Sequence, residues 1–571
     1  MNAAMVIFPE HEMRFWLAFS AARMYNTSEN TCALEVFANM KKFNVTGLCV
    51  PTKHYMVDIS GKIEQILKLV HDGQYFTINR ARQYGKTTTL NQLEKSLSKD
   101  EEYLCANISF EEMGLADFDT ESAFCDMFLS KISEALYNTN VQRGYARKWR
   151  AKKWFGADIS TLELLSRHIT KMCKDKKTVL IIDEVDKSAN NRLFLHFLGM
   201  LRAKYLNRQA GSDNTFHSVI LAGVTDIKNL KLKMINDGIH SRVAEEGRIF
   251  NSPWNIAASF DVDMSFSSEE ISTMLDDYES DHKTGMDIKS ISEEIHKFTS
   301  GYPMLTSRIC QCIDEELDGN WTIDGVSEAA KIIIDEKNVL FDDLAKNLEN
   351  NRDLYEFLYD ILIIGESKPF THGNRLIDLA DMFGYISRNP ERKNVVISNK
   401  IFEVYMTNYF ISYEDTFSKN KSISGVLCQD VIHDNVFDME LCLRKFAEHY
   451  TEIFVQQDMP FLERHGRLLF LSYIRPLING QGFYHIESQF TDLRRMDVVV
   501  DFGKDQFIIE LKLWKGEAAK EEAYNQLLGY MQSKNAIEGY LLTFDFRKNA
   551  QKERKAEWVD FGEMKIFDVV V

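Results

Sequence analysis

Short apolar runs alternate with amphipathic stretches between residues 55 and 260. The runs are Tyr75–Asn79 (YFTIN), Tyr103–Ser109 (YLCANIS), Thr178–Ile182 (TVLII) and Ser218–Gly223 (SVILAG). Apolar strands separated by helical patterns predict an α/β fold whose parallel sheet is covered on both faces. Residues 266–345 change to a helical period, and SEEISTMLDDY opens with a serine cap followed by acids in the first turn. Residues 350–412 read as helix, helix, a turn at Gly384 and the short strand VVIS, a winged-helix-like order. Tyr413–Val431 is polar and serine-rich and reads as a linker. Beyond it a helix pair precedes strands Gly482–Phe490, Met496–Phe502 and Gln506–Lys512, helix Ala518–Gln532 and strand Gly539–Phe544. No internal repeat is visible. The expected units are an extension (1–40), an α/β core (41–265), a helical lid (266–345), a connector (346–415), a linker (416–431) and a C-terminal α/β domain (432–571).

Composition adjusts this picture little. The chain has 571 residues, 45% hydrophobic and 27% charged, an ordinary globular mixture long enough for roughly three to five domains. Its net charge of −17 excludes non-specific coating of nucleic acid, so any such contact needs a local basic surface or a metal ion. Nine cysteines without a CxxC pair suit reduced thiols rather than a disulfide framework or a zinc site. No apolar run approaches the ~20 residues of a membrane helix, and acids break up the N-terminal apolar stretch. A cytoplasmic protein without a membrane partner is expected. Met40, which opens MKKFNVTGLCVP, reads as an alternative start.

Two places carry phosphate chemistry. In FTINRARQYGKTTTLNQL the triplet Gly85-Lys86-Thr87, followed by Thr88, lies directly after a strand and before a helix. There, loop N–H groups cradle phosphates, the lysine reaches the terminal phosphate oxygens and the threonine hydroxyl ligates Mg²⁺. Arg80 occupies the usual first glycine, so the match is incomplete. The strand TVLII runs into Asp183-Glu184, placing one carboxylate for Mg²⁺ and a second for the attacking water. The strand VILAG leads to Thr225, either a γ-phosphate sensor or a strand cap. Pro303, in SGYP, either wraps the adenine or simply starts a helix.

The second place is RRMDVVVDFGKDQFIIELKLWKG. Gly503 marks a hairpin turn. Residues two apart share a strand face, so Glu510 and Lys512 point together and Asp497 can converge on Glu510 across the hairpin. Two carboxylates and the Leu511 carbonyl make an all-oxygen set for Mg²⁺ or Mn²⁺, with Lys512 placed to orient or deprotonate water. A surface hairpin with a plain Glu–Lys pair remains the alternative. Gln526 and Tyr530, one turn apart on the following helix, could face the site.

Together Tyr55–Asp58, NRARQYGKTT, LIIDEVD, VILAGVTDIKNL, PWNIA and SGYP resemble the prokaryotic AAA-like ATPases fused to a PD-(D/E)XK nuclease domain. The resemblance runs from about Met40 to the C-terminus. It implies a P-loop NTPase sheet with a helical lid, a winged-helix-like connector and a nuclease-like C-terminal domain. In that family an arginine often replaces the first loop glycine. Asp497, Glu510 and Lys512 match the nuclease D…E-x-K pattern, and an acid on the first helix often completes it. Glu463 is the candidate, with Glu487 as rival.

The resemblance implies ATP and Mg²⁺ as cofactors and nucleic acid as partner, DNA ahead of RNA, with homo-oligomerisation open. The C-terminal segment itself carries an acidic excess. The sharpest basic stretch is Val141–Phe155, VQRGYARKWRAKKWF, which either contacts nucleic acid or is a solvated helix face. The expected function is an ATP-controlled, metal-dependent nuclease. The alternative is a nucleotide switch or scaffold whose nuclease fold only binds.

Overall fold

The computed structural model describes residues 41–142, 159–187, 191–224, 254–391, 393–417, 431–433, 436–453, 463–478, 482–485, 498–545 and 555–571. Strands β1 (Tyr75–Asn79), β2 (Tyr103–Ser109), β3 (Lys177–Asp183) and β4 (Ser218–Gly223) form a parallel sheet in the order β1-β4-β3-β2. A single parallel bridge, Phe76 to Ala258, extends it beyond β1. The four apolar runs of the sequence are these strands, to within a residue. They are legible because nearly every position is buried. Val179 and Ile181 face one core, with helices α1 (Ser60–His71) and α2 (Lys86–Leu97). Leu180 and Ile182 face the other, with α3 (Glu121–Gln142), α4 (Leu162–Met172) and α5 (Arg192–Gln209).

The lid comprises α6 (Ser268–His282), α7 (Ile288–Thr299), α8 (Pro303–Glu315), α9 (Ile323–Asp335) and α10 (Val339–Asn350). Ser267 and Glu270 form a reciprocal capping box at the start of α6, which satisfies two otherwise orphan N–H groups. The connector follows as α11 (Arg352–Tyr359), a π-helical turn (Asp360–Ile364), α12 (Arg375–Met382), the hairpin β5 (Ile386–Arg388) and β6 (Val395–Ile397), and α13 (Lys400–Phe417). One apolar core runs from α1 and α2 through the lid to α13. Helix α13 continues to Phe417, so Tyr413–Phe417 are helical, not linker. The Tyr413 ring packs on Tyr355 and Tyr409, and that tertiary contact overrides the local polarity.

The C-terminal unit begins with a small ladder, β7 (Ile432–His433) and β8 (Val436–Phe437), then α14 (Met439–Ile453) and α15 (Glu463–Ile478). Its sheet comprises β9 (Gly482–His485), β10 (Val498–Phe502), β11 (Asp505–Leu513), β12 (Glu538–Phe544), β13 (Ala556–Phe561) and β14 (Met564–Val570). Their order is β13-β14-β12-β11-β10-β9. β10 and β11 form the expected antiparallel hairpin, and Gly503 takes the left-handed φ of 60° that the turn requires. β11, β12 and β14 run parallel, with α16 (Glu517–Lys534) crossing from β11 to β12. Helices α14 and α15 pack on one face of this sheet and α16 on the other. The sequence reading lacks β13 and β14. A carboxylate, Asp568, interrupts the apolar run of β14 and hides its strand character.

This unit is docked on the connector. Arg467 of α15, buried, donates to the carbonyls of Ile363 (2.7 Å) and Ile364 (3.1 Å) in the π-turn. Arg475 donates to the Ser412 hydroxyl and Tyr484 to Asn408, both acceptors lying on α13. Among the described residues, no helix is long and apolar enough to cross a membrane.

Candidate nucleotide site and a second carboxylate cluster

In an open parallel sheet, ligands bind beyond the carboxyl ends of the strands. β1 and β3 deliver their chemistry there. After Asn79 the chain turns through a loop that ends at Gly85, whose φ of 74° places it in the left-handed region just before α2. The N-terminus of α2 then presents free N–H groups toward the loop. Lys86, buried at the start of α2, donates from Nζ to the carbonyls of Arg80 (3.0 Å) and Ala81 (2.9 Å). Burial lowers its pKa, and the charges of Glu184, Asp186 and Asp183 oppose that fall.

Thr87 Oγ1 donates to Asp183 Oδ2 at 2.8 Å. The two predicted metal-ligating oxygens therefore touch. A hydroxyl and a carboxylate, supplemented by phosphate oxygens and water, form the donor set Mg²⁺ takes at a nucleotide. Glu184 follows with φ 56°, an uncommon left-handed conformation for a non-glycine residue, and its N–H binds Asp183 Oδ1 at 2.9 Å. Burial raises the Glu184 pKa, the Asp183 charge adds to the rise, and Lys86 acts against it. The sequence reading did not use Asp186. Its carboxylate accepts from Val224 N–H and closes against Gly223, where an added Cβ would lie 2.7 Å from it. The run of acids in LIIDEVD was the available signal.

Arg80, in place of the first loop glycine, is accommodated because its guanidinium turns away. It donates to the carbonyls of Asn79 (2.8 Å) and Val262 (2.9 Å) and lies over Phe260. Beside the loop lies a recess lined among others by Tyr55, Val57, Thr88, Phe266 and Pro303. Thr88 Oγ1 also accepts from Cys49 N–H at 3.2 Å. Pro303 sits close to Gly85, 3.9 Å from where a Cβ would be. Arg308, one turn further on α8, is held by Glu336 and Glu316 at 2.6 and 2.7 Å, an ion-pair assignment the sequence did not reveal. Thr225 lies outside the described residues.

A model of the AAA-like domain family matches residues 50–408. The chain belongs to that family. The match takes in the loop before α2, the β3 carboxylates, the lid and most of the connector. The chain is also similar to a Walker-type ATPase of Pyrococcus abyssi: 12% identity, 64% of this chain and 99% of that one covered, TM-score 0.43. Similarity to the Aeropyrum pernix ORC2 protein, in its ADPNP–ADP complexes, is 12% identity over 62% and 93% of the two chains, TM-score 0.29. For Cdc6p from Pyrobaculum aerophilum the values are 13%, 62%, 94% and 0.27. No curated protein matches the chain.

The second cluster lies beyond the AAA-like match, on β11 and α16. Glu510 is fully buried, and Lys512 Nζ, two residues along the same face, pairs with its Oε1 at 2.8 Å. Lys512 also lines a recess with Trp514, Lys515, Lys520 and Gln526. Gln526 of α16 thus shares that lining with Lys512 of β11. Tyr530 instead packs into the core beneath α16. The strand registers align Glu510 with Leu541 and Leu541 with Asp568. Asp568, also fully buried, binds Lys520 Nζ at 2.5 Å and the Tyr524 hydroxyl at 2.7 Å through one oxygen. This second buried acid was missed, and a carboxylate inside an apolar run was its signal. Asp497 and Glu487 lie outside the described residues, as does the basic stretch from Arg143 to Phe155. Glu463 opens α15, but its side chain is not among those described. Among the described residues no cluster of three His, Cys, Asp or Glu side chains has a metal-holding arrangement.

Proposed function

We propose that the AAA-like ATPase core controls a metal-dependent nuclease built on the C-terminal sheet. The observation that carries the reading is the fully buried Glu510 with the Lys512 ammonium 2.8 Å away, Lys512 itself lining a lysine-bearing recess. Excluding a carboxylate from water is costly unless it is paired or given a cation. A surface hairpin has no need of such burial.

At the nucleotide end, Thr87 and Asp183 would hold Mg²⁺ beside ATP, Lys86 would turn from its loop carbonyls to the phosphates, and Glu184 would take the proton of the attacking water. At the other end, Glu510, the Leu511 carbonyl and Asp497 are the proposed metal donors. The proposal requires Asp497, one residue before β10, to stand opposite Glu510. Mg²⁺ or Mn²⁺ bound there would supply Lewis acidity toward the phosphodiester and lower the pKa of water. Lys512 would orient that water and balance the charge that develops on the phosphate, and Gln526 would fix the polymer backbone. DNA is the proposed substrate ahead of RNA.

The test incubates the full chain with DNA and RNA of several forms, with Mg²⁺ or Mn²⁺, with and without ATP. Cleavage is expected, changed in rate by ATP. Glu510→Ala should reduce it by about 100-fold or more, and Lys86→Ala should remove the ATP effect. No cleavage under any condition, together with a molecular mass that follows nucleotide state, would establish the switch or scaffold reading instead.

A further inference from the structure

The phosphate loop touches more than the ATPase core. Tyr302, buried at the start of α8, donates its hydroxyl to the Arg82 carbonyl at 2.6 Å. Its ring stands edge-on to Tyr84 of the loop and to Phe402 of α13, at 4.7 and 5.4 Å. Arg82 also pairs with Asp343 of α10 at 2.9 Å. Gly384, between α12 and β5, has φ 73°, and a Cβ placed on it would lie 3.0 Å from the Ala81 Cβ. Asp381, from α12, lies within electrostatic reach of Arg80, and burial raises its pKa against the pull of that arginine. Lid and connector therefore meet Ala81, Arg82 and Tyr84 from outside the core.

These are also the peptides that matter for phosphate. The Arg80 and Ala81 carbonyls hold the Lys86 ammonium, which must leave them to reach an anion. A loop binds phosphate through converging N–H groups, and its affinity depends on how much ordering remains to be done on binding. We infer that Tyr302 and Gly384 are positioning residues for nucleotide: the lid and connector hold the phosphate loop in its binding shape, so the core is not a self-sufficient ATP site. The exposed Arg82–Asp343 pair contributes little by comparison, since Arg82 is 71% accessible. The inference rests on the nucleotide-site reading above.

A fluorescent ATP analogue with Mg²⁺, titrated into the full chain, measures the effect. Tyr302→Phe keeps the ring and removes one hydrogen bond. It should weaken binding about 3- to 10-fold, with kcat at saturating ATP retained. Gly384→Ala should weaken binding at least about fivefold through its contact with Ala81. Gly373→Ala is the control: φ there is 88°, but no atom lies within 4 Å of an added Cβ, so it imposes backbone strain without the contact and should bind as wild type does. Unchanged affinity in Tyr302→Phe and Gly384→Ala, or equal weakening in Gly373→Ala, overturns the inference. A purely structural role would lower the melting temperature while leaving the affinity of the folded protein intact. If Gly384→Ala does not fold, Tyr302→Phe decides alone. Wild-type protein that binds no analogue, indistinguishable from Lys86→Ala, overturns the nucleotide site itself and this inference with it.

Discussion

At Glu184, stability and chemistry pull in opposite directions. Burial first, then the charge of Asp183, raises its pKa above the usual glutamate value, although Lys86 opposes the rise. The neutral form is thus favoured in the folded chain, and this contribution to stability is present below the unfolded pKa and lost as pH rises through the folded one. Above that raised pKa the ionised side chain is available to accept a proton, at a cost to stability. Glu184→Gln should therefore raise the melting temperature at pH 7–8, with the gain shrinking toward pH 4.5. It should keep ATP binding and reduce turnover by about 100-fold or more. Melting curves against pH and a steady-state ATPase assay check both, and a lower melting temperature at pH 8 would contradict the argument. Wild-type turnover should fall as pH drops through the raised pKa. Lys86, Thr87, Asp183 and Glu184 were legible from the sequence because strand-turn-helix geometry fixes where such residues point. Asp186 and Asp568 were not, because burial and partners alone distinguish them from surface acids.

Among the elements, the packing of the segment before α6 against the turn between α7 and α8 depends on Gly301. Its φ is 71°, and a Cβ added there would lie 1.9 Å from the Phe266 carbonyl oxygen. Phe266 N–H in turn binds the Gly301 carbonyl at 2.8 Å. Gly301→Ala combines left-handed strain with a backbone clash no rotamer can relieve, and should destabilise the protein by about 3 kcal/mol or more. A shift of that size is measurable by urea unfolding. Gly285→Ala, with φ 76° and open space around it, should cost only about 1 kcal/mol. The strands of the parallel sheet were readable because burial on both faces writes a continuous apolar run. β13, with one exposed side, and β14, interrupted by Asp568, gave no such run.

Across the whole molecule, the C-terminal sheet is joined to the AAA-like part through α13, α15 and the π-turn. Two carbonyls of that turn are satisfied by the one buried guanidinium of Arg467. Arg467→Ala leaves both without that donor in a buried setting, a cost of about 1–3 kcal/mol for each unsatisfied group. Calorimetry should then resolve two unfolding transitions, where a single coupled one is expected of the wild type. A single transition merely shifted to lower temperature would show that Arg467 stabilises without coupling. Helix α13 packs Phe402 against Tyr302 at one end and carries Asn408 and Ser412 to the C-terminal unit at the other. If nucleotide alters that coupling, linkage requires the C-terminal unit to alter nucleotide affinity by the same factor.

The amino-acid order by itself determined the parallel sheet, the position of Gly85-Lys86-Thr87 before a helix, the Asp183-Glu184 strand end and the Glu510-x-Lys512 pairing on one face. Each follows from local periodicity, which acts over a few residues. Contacts between residues far apart in the chain were decided by tertiary structure alone: Tyr302 and Gly384 against the phosphate loop, Arg308 between two glutamates, Arg467 in the π-turn and Asp568 under Lys520. Those placements depend on how separate elements share one core, and packing of that kind leaves no periodic trace along the chain.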